Sequence, residues 1–155
     1  MSNSTPSNVM INPQEIKNLV AKARLSRERA FVLRSNHPIG AAVLTRSNNI
    51  FDGCNIESII MGLGSCAEQN AINHAIIHGE HEFKALLTID ETKTYPCGVC
   101  LQYLYQFFQI DEQDIEIIAA DLSGAYEVAS LTSLLPHAYK TRQHLDRLRS
   151  FRHSF

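Results

Sequence analysis

No run of apolar residues in this chain approaches the ~18 that a helix needs to cross a bilayer, so no transmembrane helix and no membrane partner are expected. Met1 to Asn8 holds neither a charged start nor an apolar stretch, which is not the pattern of a secretory signal. Glycine and proline are sparse, at seven and five residues, and hydrophobic residues reach 45% against 19% charged. That composition excludes collagen, a coiled coil and a disordered chain. Net charge is small, −2, which argues against a dedicated nucleic-acid binder. What is left is one ordinary domain with a tail, long enough at 155 residues to bury its core without a disulfide scaffold.

The pattern divides into a flexible N-terminal arm over residues 1–11, a domain over 12–140 and a basic, helical tail over 141–155. Asn12-Pro13-Gln14-Glu15 reads as a helix start. Ile16, Leu19, Val20 and Ala23 follow at helical spacing, and Ala30-Phe31 carries the stripe to about residue 33. Ala41–Leu44 and Ile50–Cys54, separated by Ser47-Asn48-Asn49, predict a hairpin. Ser65 is the candidate cap of a helix over about 66–78, closed by Gly79. Phe83–Ile89 and Ile115–Ala120 are buried-strand candidates, Ala125–Ala129 a short third one, and Thr132–Tyr139 a brief helical turn. Pro96 opens an aromatic, Leu-rich helix between the first two of these strands. Strand, helix, strand, helix, strand predicts an α/β fold with a largely buried sheet. Residues 140–155 hold five Lys/Arg against one acid, so the tail is expected to lie on an acidic surface or a neighbouring subunit.

Chemistry is concentrated in the cysteines. Cys97-Gly98-Val99-Cys100 is a C-x-x-C pair, which alone serves zinc sites and redox sites alike. Thirty-one residues before Cys97 stands Cys66-Ala67-Glu68. Cys-x-Glu followed by Pro-Cys-x-x-Cys is the zinc pattern of nucleobase deaminases, with Cys as the first ligand. Both ligand segments fall at predicted helix starts, where backbone N–H groups and the helix dipole favour thiolates. Three protein ligands leave a fourth zinc position for water, the mark of a catalytic site. Glu68, two residues beyond its ligand, reaches that water without binding the metal.

Residues 37 to 139 resemble the cytidine deaminase family. The resemblance lies in His37-Pro38-Ile39-Gly40-Ala41-Ala42, Gly53-Cys54-Asn55-Ile56-Glu57, Cys66-Ala67-Glu68, Pro96-Cys97-Gly98-Val99-Cys100 and Leu134-Leu135-Pro136. It implies a three-layer α/β/α fold with a five-stranded mixed sheet. It also implies one Zn²⁺ per subunit, and a homotetramer with sites at subunit interfaces. By resemblance Cys66, Cys97 and Cys100 bind zinc and Glu68 is the catalytic proton shuttle. Asn55 and Glu57 hold a ribose hydroxyl, the Ala67 amide meets the base, and His37 stands where the family stacks an aromatic ring on it. Cys54 is expected in the core. His74, His78 and His81 have no acidic partner motif, so solvated or packing roles are expected for them.

The chain departs from the family pattern at four places. His37 replaces Phe, Gln69 replaces the Arg that follows the catalytic Glu in short chains, Met61 replaces Tyr, and Tyr139 replaces Phe. Three thiolates and Zn²⁺ sum to −1, and without that Arg the two helix N-termini are left to compensate. Gln69 after Cys-Ala-Glu is a feature of the longer, dimeric branch, so a dimer stays open beside the tetramer.

The resemblance implies a cytoplasmic hydrolase of pyrimidine salvage, turning cytidine or deoxycytidine into the uracil nucleoside. A deaminase of a modified cytosine nucleoside such as blasticidin S is one rival. A non-catalytic, zinc-stabilised interaction protein is another. A polynucleotide editor is disfavoured by the acidic body of the chain.

Overall fold

The computed structural model describes residues 11–150. The element order is α1 (Pro13–Arg27), β1 (Gly40–Thr45), β2 (Ile50–Cys54), α2 (Ala67–Ile77), β3 (Phe83–Asp90), α3 (Gly98–Asp111), β4 (Glu116–Asp121), β5 (Tyr126–Ser130), α4 (Leu131–Leu134) and α5 (Leu145–Ser150). The strands form one five-stranded sheet in the order β2-β1-β3-β4-β5. β3 and β4 run parallel, and every other neighbour pair is antiparallel. The parallel pair is joined through α3, as a crossover requires. The expected three-layer α/β/α fold with a mixed sheet is the one observed.

Alternation along the strands assigns the layers. Ala42 and Leu44 of β1 face α1, with Ala85, Leu87 and Ile89 of β3 and Ile118 and Ala120 of β4. Ile16, Leu19 and Ala23 of α1 close that face. Ala41 and Val43 turn the other way with Leu86 and Ile117, and α2 and α3 cover them with Ala71, Ile72, Ala75, Leu101, Leu104 and Phe107. At one crossing α1 and the sheet almost touch: a Cβ at Gly40 would lie 2.0 Å from the Ala23 carbonyl oxygen, so only glycine fits.

Local chemistry sets the element ends. Asn12 and Glu15 form a reciprocal capping box at the start of α1. The helix stops at Arg27 instead of continuing to residue 33. The reason is that Phe31 pairs as extended backbone with the segment after β2. Its N–H donates to the Asn55 carbonyl at 3.1 Å and its carbonyl accepts from the Glu57 N–H at 2.7 Å, leaving its ring exposed rather than in a buried stripe. The hairpin and its turn form where expected. The cap of α2 is Cys66, one residue after Ser65, whose hydroxyl instead bonds Asn70 Oδ1 at 3.0 Å. The helical turn near 132–139 is observed as α4, over Leu131–Leu134.

The arm expected over 1–11 lies outside the described residues except for Ile11, which is buried and whose N–H donates to Glu116 Oε2 at 3.0 Å. In the tail, α5 rests on the C-terminal end of α3, where Arg149 pairs with Glu112 at 3.1 Å. Residues 151–155 lie outside the described residues. No helix among the described residues is long and apolar enough to cross a membrane.

Candidate active site

The site is built where two helices begin. Cys66 is the N-cap of α2 and Cys97 the N-cap of α3, both with extended backbone, and Cys100 sits in the first turn of α3. Neither capping cysteine uses its sulfur to cap. The three Sγ atoms lie within 4.8 Å of one another, and Cys97 and Cys100 are 3.5 Å apart. A tetrahedral zinc with Zn–S bonds of about 2.3 Å needs sulfurs roughly 3.8 Å apart. The cluster therefore fits zinc in spacing and in donor chemistry, and Cys66, Cys97 and Cys100 are positioned to hold the ion. All four cysteines are free thiols.

The protons of the cluster tell the same story. The S–H of Cys100 beside it, more than any other neighbour, lowers the Cys66 pKa to about 7. Cys100 is pushed the opposite way, first by that same bond and then by burial. Three sulfurs this close cannot all ionise unless a cation stands among them, which is what a metal supplies.

Glu68, on the first turn of α2, is 7% exposed. Burial raises its pKa above the ordinary carboxylate value. A carboxyl group held in this way both accepts and returns protons. Glu68 lines a cavity of about 490 Å³ with Cys66, Ala67, Cys97, Asn55 and Glu57. Ala67 is the first helical residue of α2, where backbone N–H groups lack intrahelical partners.

Asn55 and Glu57 flank the cavity and also shape it. Asn55 Oδ1 accepts from the Ile39 N–H at 2.9 Å, and its Nδ2 donates to the His37 carbonyl at 3.0 Å. Glu57 Oε2 accepts from the N–H groups of Arg34 at 2.6 Å and Ser35 at 3.2 Å. These bonds, those to Ser35 foremost, hold the Glu57 pKa below its ordinary value. Both residues therefore fasten the segment 34–39 that forms one wall. Arg34 and Ile39 of that segment line the cavity; His37 does not, but its ring Nε2 lies 2.9 Å from Oδ2 of Asp90, which does.

Cys54 lies apart from the sulfur cluster, at the end of β2. It is half-buried rather than in the core, and its carbonyl accepts from Asn70 Nδ2 at 2.7 Å. That bond ties the start of α2 to the Asn55 segment. His74 and His78 pack against Phe51, with ring centroids 5.3 Å away in both cases. Sequence reasoning missed Asp90, Thr88, Tyr95 and Arg34, all of which line the cavity. For Asp90 a signal was available: it is an acid at the carboxyl end of a buried strand, where α/β sheets place their sites.

Residues 13–113 match the family model described as the cytidine and deoxycytidylate deaminase zinc-binding region. Cytidine deaminase of Sporosarcina psychrophila is 33% identical over 127 residues, covering 81% of this chain and 91% of its own length. Cytidine deaminase of Halalkalibacterium halodurans is 31% identical over 123 residues, 78% of this chain and 91% of that one. The crystal structure of cytidine deaminase from Burkholderia pseudomallei superposes with a TM-score of 0.71 at 33% identity, over 79% of this chain and 98% of that chain. With the family match running from α1 through α3 and the relatives aligned over most of the described fold, the chain belongs to the cytidine and deoxycytidylate deaminase family.

Proposed function

We propose that this chain is a zinc-dependent hydrolase that converts cytidine, deoxycytidine or both into the uracil nucleoside, releasing ammonia. The observation that carries the reading is a cluster of three free sulfurs, two of which (Cys66 and Cys97) line one cavity of about 490 Å³ together with the buried Glu68. Cys66, Cys97 and Cys100 would hold the zinc. When bound, that ion lowers the pKa of a water molecule to about 7 and so supplies hydroxide at neutral pH. Glu68 is placed to accept a proton from the attacking water and to deliver it to N3 of the pyrimidine, so that C4 becomes open to addition. It then carries a second proton to the 4-amino group, which leaves as ammonia. Water is consumed and C4 gains a carbonyl oxygen, so atoms balance.

The Ala67 N–H, at the positive end of α2, faces the base. Asn55 and Glu57 meet a ribose hydroxyl. Asn55 keeps one amide hydrogen and Glu57 Oε1 an acceptor site after fastening the wall. A site built to bond a hydroxyl rejects free cytosine, because its polar groups would be left unpaired.

Ile59, Met61, Leu63 and Val99 are large apolar side chains left exposed, and Val99 lines the cavity, which supports a homo-oligomer. A tetramer is the favoured form and a dimer the other. Four free thiols suit a reducing cytoplasm, and a nucleoside substrate suits a place in pyrimidine salvage.

The test is a steady-state ultraviolet assay on zinc-quantified protein with cytidine, deoxycytidine and blasticidin S. Turnover of the first two supports the reading, whereas blasticidin S alone moves the substrate to the modified nucleosides. Glu68→Ala should keep its zinc and lose activity by about 10²–10⁴-fold or more. Near-wild-type turnover by that variant overturns the assigned mechanism, and no turnover of any cytosine nucleoside overturns the function.

A further inference from the structure

Asp90 is a buried acid for which the proposed chemistry has no task. It ends β3, is 5% exposed and lines the cavity. Its Oδ1 accepts from the Glu91 N–H at 2.7 Å, and its Oδ2 lies 2.9 Å from His37 Nε2. Among the described residues, His37 is the only basic side chain bonded to it. A carboxylate this enclosed is costly unless its oxygens are engaged, so the ring is held in place.

We propose that Asp90 is a positioning residue that acts through His37, fixing the imidazole beside the nucleoside cavity, within the segment whose ends line it, with its proton on Nε2. This rests on the functional reading above. An ionised carboxylate only accepts, so the hydrogen between the pair belongs to His37 Nε2, and Nδ1 is the ring atom left free. The rest of residue 37 is pinned as well. Its N–H donates to Ser35 Oγ at 3.1 Å, and its carbonyl accepts from Asn55 Nδ2 at 3.0 Å. Ring and backbone are thus tied to two cavity residues at the ends of different strands, Asp90 closing β3 and Asn55 following β2. A histidine needs such a partner where a phenylalanine would not, because its ring has two inequivalent nitrogens and a polar edge to satisfy. No hydrogen bond joins Asp90 to Glu68 or to the three cysteines among the described residues. Loss of the pair should therefore weaken substrate binding more than proton transfer.

The experiment is a double-mutant cycle on zinc-loaded protein, with Asp90→Asn, His37→Phe and both together. An asparagine has one acceptor oxygen where Asp90 uses two, so with that oxygen on the Glu91 N–H the amide faces His37 Nε2 as a donor and no longer holds the proton there. Asp90→Asn should raise KM for cytidine about tenfold and change kcat less than about threefold. In the His37→Phe background the same change should move KM less than about twofold. Long-range ¹H–¹⁵N spectra of wild-type protein should show the His37 proton on Nε2, and Asp90→Asn should release that preference. An equal rise in KM in both backgrounds, an unchanged KM in Asp90→Asn, or an Nδ1–H tautomer in the wild type overturns the inference. Those results leave wild-type turnover intact. Failure of the functional reading instead removes turnover from every variant alike.

Discussion

Gly53 of β2 lies directly against Ala71 of α2. A methyl group on Gly53 would sit 2.3 Å from the Ala71 nitrogen and 2.6 Å from the Ala67 carbonyl oxygen. The contact is backbone to backbone, so no side chain can swing away to relieve it. It also sets the height of α2 above the sheet, and with it the place of Cys66 and Glu68 relative to Cys97 and Cys100. Gly53→Ala is expected to destabilise the fold by about 2–4 kcal/mol and to weaken zinc binding. Gly98→Ala is the control, since nothing lies within 4 Å of a Cβ there. In the first turn of α3 that change should be neutral, or stabilising by about 0.5 kcal/mol. Thermal melts of the two variants check the contrast, and equal melting temperatures would refute it.

Metal removal separates the four cysteines. Cys66, Cys97 and Cys100 form the cluster, and Cys54 stands outside it. Purified protein should carry one zinc per subunit by elemental analysis. Cys66→Ser or Cys97→Ser should lower that toward zero and abolish turnover, whereas Cys54→Ser should keep both. A strong chelator should lower the melting temperature of wild-type protein, because binding energy at such a site is folding energy. A Cys54→Ser variant that loses its zinc would show that the cluster is misassigned.

The fold and the metal cluster were legible in the sequence for different reasons. The short apolar run Ala41–Leu44 and the turn residues Ser47-Asn48-Asn49 mark β1 and β2 without any knowledge of their neighbours, and Cys66-Ala67-Glu68 with Pro96-Cys97-Gly98-Val99-Cys100 is a local spacing pattern. The end of α1 was not legible. Ala30-Phe31 continues a helical stripe, and only pairing with Asn55 and Glu57, more than twenty residues away, pulls it into extended backbone. Asp90 carried a signal as an acid at the end of a buried strand, but its partner did not. Its bond to His37 joins residues 53 apart in sequence, and no local pattern records such a meeting. The second task of Asn55 and Glu57, fastening the 34–39 wall, was hidden because it runs through main-chain atoms that carry no sequence signature.

Acid should reveal one link between α1 and the sheet. Lys84 Nζ of β3 lies 2.6 Å from Glu15 Oε1, and both side chains are largely buried. Burial by itself raises the Glu15 pKa, but the bonds from Lys84 and the Asn12 N–H outweigh it, and the net value falls below the ordinary 4.5. The unfolded chain therefore takes up this proton at a higher pH than the folded one does. The stabilisation is complete above about pH 4.5 and is lost as pH falls through the lower, folded-state value. Glu15→Gln removes an ion pair of a kind that contributes up to about 1 kcal/mol at pH 7, and it should flatten the acid limb of the stability curve below pH 5. Urea unfolding of both proteins at several pH values tests this. A constant gap down to pH 3 would show that the ion pair contributes nothing.

Asn55 offers the sharpest test of how the wall of the cavity is made. It bonds the His37 carbonyl through Nδ2 and the Ile39 N–H through Oδ1, so one side chain sets both ends of a three-residue stretch. Asn55→Asp keeps the size and the acceptor for Ile39. It turns the donor facing His37 into an oxygen, which opposes the carbonyl and adds a charge. Removing a donor in this way leaves a polar group unpaired, at about 1–3 kcal/mol. If the wall must be held for the nucleoside to bind, that loss appears in kcat/KM as roughly a 10–100-fold fall with zinc content unchanged. Asn55→Ala removes both bonds and should fall further, and neither variant should alter the three-sulfur cluster, which lies on other elements. A variant Asn55→Asp with wild-type kcat/KM would mean that the segment 34–39 holds its shape without this side chain.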